Sequence, residues 1–215
     1  MAEEFGLQME RWDSSYRSKG AMWRGMPLND IRADDGSRVL ELGCGNGKTM
    51  SAVVGRGVRM VGLDFSMVGL RLCPPDVMGR VELVQGDAGH LPFRDGCFDM
   101  VIAHHLLGHL ALLHRLSAVS EIERVLSPGG EVRVLVLSTG DMRFSEGIEI
   151  EANTFLNGSG IATHFFSEAE VRELFSSMME VSLSETVIEK RYSGRPVRRA
   201  TIDGIFRGYD PSRFD

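Results

Sequence analysis

The stretch Glu41-Leu42-Gly43-Cys44-Gly45-Asn46-Gly47-Lys48 decides how this chain is read. It follows the apolar run Arg38–Leu42, which has the look of a strand, and it opens a helix-length segment. Three glycines in five residues let the backbone come close to a ligand. Beside a helix N-terminus at the C-terminal edge of an open α/β sheet, that ligand is expected to be of the nucleotide type. A dinucleotide fingerprint begun at Gly43 and Gly45 needs its third glycine at position 48, where Lys48 stands; the third glycine is Gly47. The pyrophosphate pattern is missed by one residue, which disfavours an NAD-dependent oxidoreductase.

Working outward, Met60–Leu63, Val81–Val84, Met100–Ala103 and Val132–Leu137 are further short apolar runs, each ended by Gly, Asp or a loop signal. Continuous apolar strands without polar alternation suit a parallel sheet covered on both faces. Leu107, Leu110, Leu113, Leu116, Val119, Ile122 and Val125 predict one helix, closed by Ser127-Pro128-Gly129-Gly130. The expected order is βαβαβαβαβ, hence a doubly wound α/β sheet. Met142–Gly160 carries no periodicity, and Ser167-Glu168-Ala169-Glu170 is a capping box for a helix running to about Met179. Val181–Ile188 and Ala200–Phe206 read as a terminal antiparallel pair joined by a polar connection containing Gly194 and Pro196. The expectation is a seven-stranded, mostly parallel sheet with a C-terminal antiparallel hairpin, in a single domain over residues 1–215. Within it, 1–35 form an N-terminal cap, 36–140 the ligand-binding core, and 141–215 a substrate-side loop, helix and hairpin.

Composition bounds the function classes. The chain has 215 residues, 43% hydrophobic and 25% charged, so fibrous and wholly disordered readings are excluded. No apolar run reaches the ~18 residues of a membrane helix, and the acidic Met1-Ala2-Glu3-Glu4 is unlike a signal peptide. A cytoplasmic protein without membrane partners is therefore expected. Three cysteines with no CxxC pair argue against disulfides and zinc ribbons. A net charge of −6 argues against a surface devoted to nucleic acid, but residues 190–215 hold seven Lys/Arg against three Asp, a local excess of +4.

The Glu41–Gly47 stretch resembles motif I of the class I S-adenosylmethionine (AdoMet)-dependent methyltransferases, and later landmarks fall in register with it. Asp64 ends the second apolar run, where an acid can accept from both ribose hydroxyls. Asp87, in Gln85-Gly86-Asp87-Ala88, matches the family's adenine-side acid, and Phe98–His109 is similar to motif IV with its following helix. Ile122–Gly130 resembles the helix-to-fifth-strand passage of small-molecule methyltransferases. The resemblance implies AdoMet as cofactor, held by Glu41, Gly43, Cys44, Gly45, Gly47, Asp64, Phe65, Asp87, Ala88, Ala103 and His104; no metal is expected, because no nearby carboxylate or cysteine completes a ligand set around the clustered histidines.

Four histidines, 104, 105, 109 and 114, lie within eleven residues. The resemblance places residue 105 near the methyl-transfer site, which makes His105 the first candidate for a general base; His164, before the capped helix, is the second. Trp12, Tyr16 and Trp23 are either an amphipathic helix packed on the domain or, with His109, parts of a lid over cofactor and substrate. A small-molecule acceptor is expected because the chain is acidic and has no added recognition domain. The alternative is RNA or protein modification gripped by the basic hairpin, and a non-catalytic AdoMet-binding protein stays open as well. The oligomeric state is not readable from the sequence.

Overall fold

A computed structural model describes residues 2–21, 31–53, 57–192 and 195–210. Strands β1 (Arg38–Leu42), β2 (Arg59–Asp64), β3 (Glu82–Gln85), β4 (Phe98–His104) and β5 (Leu126–Leu137) are joined by β9 (Met179–Tyr192) and β10 (Arg195–Arg207). They form one seven-stranded sheet in the order β3-β2-β1-β4-β5-β10-β9. β10 runs antiparallel to both β5 and β9, and the other pairs are parallel. The expected α/β architecture is thus present. The strand order reverses between β1 and β4, which opens a crevice at their C-terminal ends.

Burial explains the strand sequences. In β1 and β4 side chains on both faces are buried, because each face meets its own core. One core holds Leu40, Leu42, Val101 and Ala103 against helix α5 (Leu112–Val125), helix α6 (Glu168–Leu174) and β10. The other holds Val39, Met60, Met100 and Ile102 against Met50, Val53, Leu70 and Val77 on α2 (Lys48–Val53), α3 (Met67–Arg71) and α4 (Pro75–Met78). Each fully buried side chain of this size contributes about 1.5–3 kcal/mol, so polar alternation could not be afforded in these strands.

Several elements depart from the sequence reading. No helix lies between β3 and β4. Gly86, Gly89 and Pro92 interrupt that segment, and it is tied down instead by the Glu121 carboxylate accepting from Leu91 N–H and by Arg124 donating to the Leu91 and Phe93 carbonyls. The helix expected from Leu107 begins only at Leu112; Leu107–His109 is a single 3-10 turn. α6 is capped by the Ser167 hydroxyl as expected but stops at Leu174. The hairpin strands reach to within two residues of each other, and Pro196 lies inside β10 opposite Arg191. Its missing N–H is tolerated there because β10 pairs with β5 only from Thr201 onward.

The largest departure lies in 142–160, read as structureless. It contributes β6 (Ile148–Glu151) and β7 (Thr154–Leu156), which with β8 (Ala162–His164) make a separate antiparallel three-stranded sheet. Asn153, at φ 59, turns β6 into β7. Phe144, Phe155 and Phe165 pack edge to face beneath it. Helix α1 (Ala2–Lys19) closes over the same end of the large sheet.

Candidate active site

A cavity of ≈530 Å³ opens at the C-terminal ends of β1, β2 and β4, roofed by α1 and flanked by the small sheet. Its size suits a small organic ligand. The glycine turn after β1 is built by backbone: Gly43 and Cys44 N–H both donate to the Leu63 carbonyl, and Gly43, Gly45 and Gly47 all have positive φ. Asp64, buried at the end of β2, braces this turn. Its Oδ2 accepts from Gly45 N–H and its Oδ1 from Ser66 N–H, each at 2.8 Å. Burial nevertheless pushes its pKa up to about 6.

Glu41 is the more unusual carboxylate. Burial, opposed by hydrogen bonds from the Thr49 hydroxyl and Met50 N–H, pushes its pKa up to about 8. Its Oε2 is buried with no hydrogen-bond partner among the described residues. A buried, half-satisfied carboxylate on a cavity wall calls for a cationic or hydrogen-bond-donating ligand group. Asp87, across the cavity, accepts from Gly89 N–H at 2.8 Å and pairs with His114 Nε2 at 2.6 Å.

Of the residues expected to hold a cofactor, Glu41, Gly43, Cys44, Asp64, Phe65, Asp87, Ala88 and His104 line the cavity. Gly45, Gly47 and Ala103 do not. A Cβ on Gly45 would meet the Tyr16 hydroxyl and one on Gly47 the Cys73 sulfur, so these two glycines serve packing. Ala103 is corrected to a fully buried core residue of β4, whose side chain points into the sheet's packed face.

The far half of the cavity carries His105 and His109. His105 has a φ of 56, rare outside glycine, at the end of β4. Burial, with the charges of His104, His109, Arg143 and Arg199, holds its pKa down to about 3. His105 lines the cavity, as expected of a candidate base. His109 is better arranged. Its Nδ1 lies 2.8 Å from the Ala162 carbonyl, which can only accept, so the proton sits on Nδ1 and Nε2 keeps its lone pair. No hydrogen bond engages that Nε2 among the described residues. Trp12 packs edge-on against the ring at 4.9 Å.

His164 is a second correction, because it is buried and does not line the cavity. Its Nδ1 pairs with Thr154 Oγ1 at 2.8 Å and its Nε2 with Glu170 at 2.7 Å, leaving neither nitrogen for a substrate.

Trp12 and Tyr16 line the cavity from α1, while Trp23 lies outside the described residues. Arg11 donates to the Gly160 carbonyl at 2.6 Å, and Ser66 Oγ donates to Asp13, so α1 is tied to both the small sheet and the β2–α3 corner. The basic hairpin is less basic than its sequence. Arg207 pairs with Glu131, Arg199 turns into the cavity, and Arg213 and the side chains of Lys190 and Arg195 lie outside the described ones. Sequence reasoning missed Arg199 as a cavity residue, and with it Thr49, Thr154 and Glu151. The alternation Ile148-Glu149-Ile150-Glu151 was a period-two signal for the strand that carries Glu151.

A family model described as a methyltransferase domain matches residues 40–134, the span from β1 to β5 that builds this crevice. That span is similar to methyltransferase domains. Solved methyltransferases share its fold. A SAM-dependent methyltransferase from Methanosarcina mazei superposes with a TM-score of 0.71 at 21% identity, covering 87% of this chain and 100% of that one. The Burkholderia thailandensis 1,6-didemethyltoxoflavin-N1-methyltransferase, solved with 1,6-didemethyltoxoflavin and S-adenosylhomocysteine, gives 0.70 at 17%, covering 97% and 90%. A demethylmenaquinone methyltransferase from Beutenbergia cavernae is 37% identical over 122 residues, 55% of this chain and 48% of that protein. The chain spans about half the length of the curated relatives it matches. Among the described residues, no helix is long and apolar enough to cross a membrane, and no three His, Cys, Asp or Glu side chains group to hold a metal ion.

Proposed function

We propose that this protein transfers a methyl group from AdoMet to a small-molecule acceptor. One observation carries the reading: a single cavity joins the carboxylates of the glycine-turn crevice to a histidine-bearing wall under α1. The orphaned, buried Glu41 Oε2 and the close backbone at Gly43 fit a cationic nucleoside ligand. Glu41 would face its positive charge, Asp64 its sugar hydroxyls, and Asp87 with Phe65 and Ala88 its base. When bound, AdoMet supplies an electrophilic methyl group on sulfur.

The chain's own contribution is positional. A preorganised donor and acceptor can save ~7–11 kcal/mol of barrier. Helix α1, held by Arg11 and Asp13, excludes water over the cavity. Where the acceptor must lose a proton, His109 Nε2 takes it, the role expected of His105 on sequence. A small acceptor is favoured because the site is a roofed cavity and because Arg199 and Arg207 are diverted from the hairpin surface that RNA would need.

Calorimetry with S-adenosylhomocysteine tests the reading. The protein should bind it and not NAD, and Asp64→Ala should weaken binding by about tenfold to a hundredfold, by unbracing Gly45 and removing an acceptor. Binding of NAD alone refutes the proposal.

A further inference from the structure

Resting on that reading, the far end of the cavity also indicates what kind of molecule is methylated. Asp141, in the turn that follows β5, has a fully buried side chain that organises two guanidiniums. Arg143 Nε donates to its Oδ1 at 2.8 Å and Arg199 Nε to its Oδ2 at 2.9 Å, while the Arg143 and Ala200 N–H groups, each at 3.1 Å, complete its shell. One buried carboxylate therefore spends its acceptors on two Nε groups and two amides.

The ends of both guanidiniums are left over. Among the described residues, no hydrogen bond is made by any Nη of Arg143 or Arg199, and Arg143 Nη2 is buried with no partner at all. Arg199 lines the cavity. Arg143 and Arg199 both depress the pKa of the cavity-lining His105, and Arg143 that of His109, so their positive field reaches the acceptor wall. Two guanidiniums on one bracing carboxylate leave donors over, those of Arg199 on the cavity wall and the buried Nη2 of Arg143. Glu151 also lines the cavity there, but it belongs to the exposed strand β6, where water screens it. A buried guanidinium donor left unpaired is unfavourable, and a planar oxyanion is the group its fork geometry matches.

We propose that Arg199 on the cavity wall, with Arg143 held behind it by the shared Asp141, recognises a carboxylate or comparable acidic oxygen group on the acceptor. Leu106, Leu110 and Leu135 also line the cavity, so the acceptor is an amphiphilic acid: an apolar body with one anionic end. The anion fixes the orientation in which the rest of the molecule meets the methyl-transfer site and His109. This assigns Arg199, apparent on sequence only as part of a basic hairpin, to substrate selection.

Two fluorescent probes of one shape separate charge from apolar fit: anilinonaphthalene sulfonate and its uncharged parent phenylnaphthylamine, titrated into protein saturated with S-adenosylhomocysteine. The sulfonate should bind at least about tenfold more tightly than the parent. Arg199→Gln should abolish that preference without changing affinity for the parent or for S-adenosylhomocysteine, and Arg199→Lys should retain most of it. Arg143→Gln, measured the same way, should reduce the preference and guards against a folding defect in the first variant. Equal binding of the two probes, failure of the sulfonate to bind, or a preference that survives in both Gln variants overturns the proposal. Failure of S-adenosylhomocysteine itself to bind instead overturns the methyltransferase reading, and the anion preference is then read from the probes alone.

Discussion

Replacing Glu41 by Gln tests whether the buried carboxylate of the crevice is held against its own electrostatics. In the folded protein its carboxyl keeps a proton to about pH 8, whereas the unfolded chain releases it near 4.5. Between those values the folded state binds more protons, so the stability from this group is greatest at the acid end and is lost as pH rises, by about 1.4 kcal/mol per decade. From pH 6.5 to 8 the loss is about 2 kcal/mol, which for a chain of this size is about 4–8 °C in Tm. The buried histidines work the other way at the acid edge of that window. His104 and His105, lowered to about 4 and about 3, and His109, also lowered, stay neutral in the fold while the unfolded chain binds protons near 6.5, so each regains about 0.4 kcal/mol as pH rises from 6.5, and Asp64, raised to about 6, adds only a small loss. Thermal unfolding followed by circular dichroism, without ligand and at half-unit pH steps, reads the slope directly. Across the window Glu41→Gln should gain on wild type by about 2 kcal/mol and melt higher at pH 8. A Gln variant whose Tm follows wild type's in parallel at every pH would refute the assignment of the strain to Glu41.

Two further outcomes follow from the acceptor wall and the roof. His109→Ala should lower turnover of a hydroxyl acceptor by about 10²–10⁴ with S-adenosylhomocysteine affinity unaltered, whereas His105→Ala should cost much less; because burial lowers the His109 pKa, the ascending limb of the wild-type pH profile should lie below the ordinary histidine range, and a limb above that range would count against this base. Gly45→Ala should be destabilising, since its φ is 52 and the added Cβ would clash with the Tyr16 hydroxyl; faster limited proteolysis within α1 should accompany it, and an unchanged cleavage rate would mean that Tyr16 does not hold the helix down.

The sequence by itself determined the large sheet and the crevice. Strands buried on both faces must be apolar throughout, and a tight strand-to-helix turn with several residues at positive φ must carry glycines, so β1, the Gly43–Gly47 turn, Asp64 and Asp87 were legible one segment at a time. What depends on distant partners was not. His105 and His109 look alike in sequence, and only the Ala162 carbonyl, brought in by β8, fixes the proton on His109 Nδ1 and leaves Nε2 to face the cavity. His164 looked available until Thr154 and Glu170 closed on both its nitrogens. Arg199 sat in a basic run whose surface role was natural to assume, yet one buried carboxylate 58 residues away in the chain turns it inward. Each of these side chains has several hydrogen-bonding options of similar energy in an isolated segment. The choice is made only when folding removes water and leaves one partner within reach.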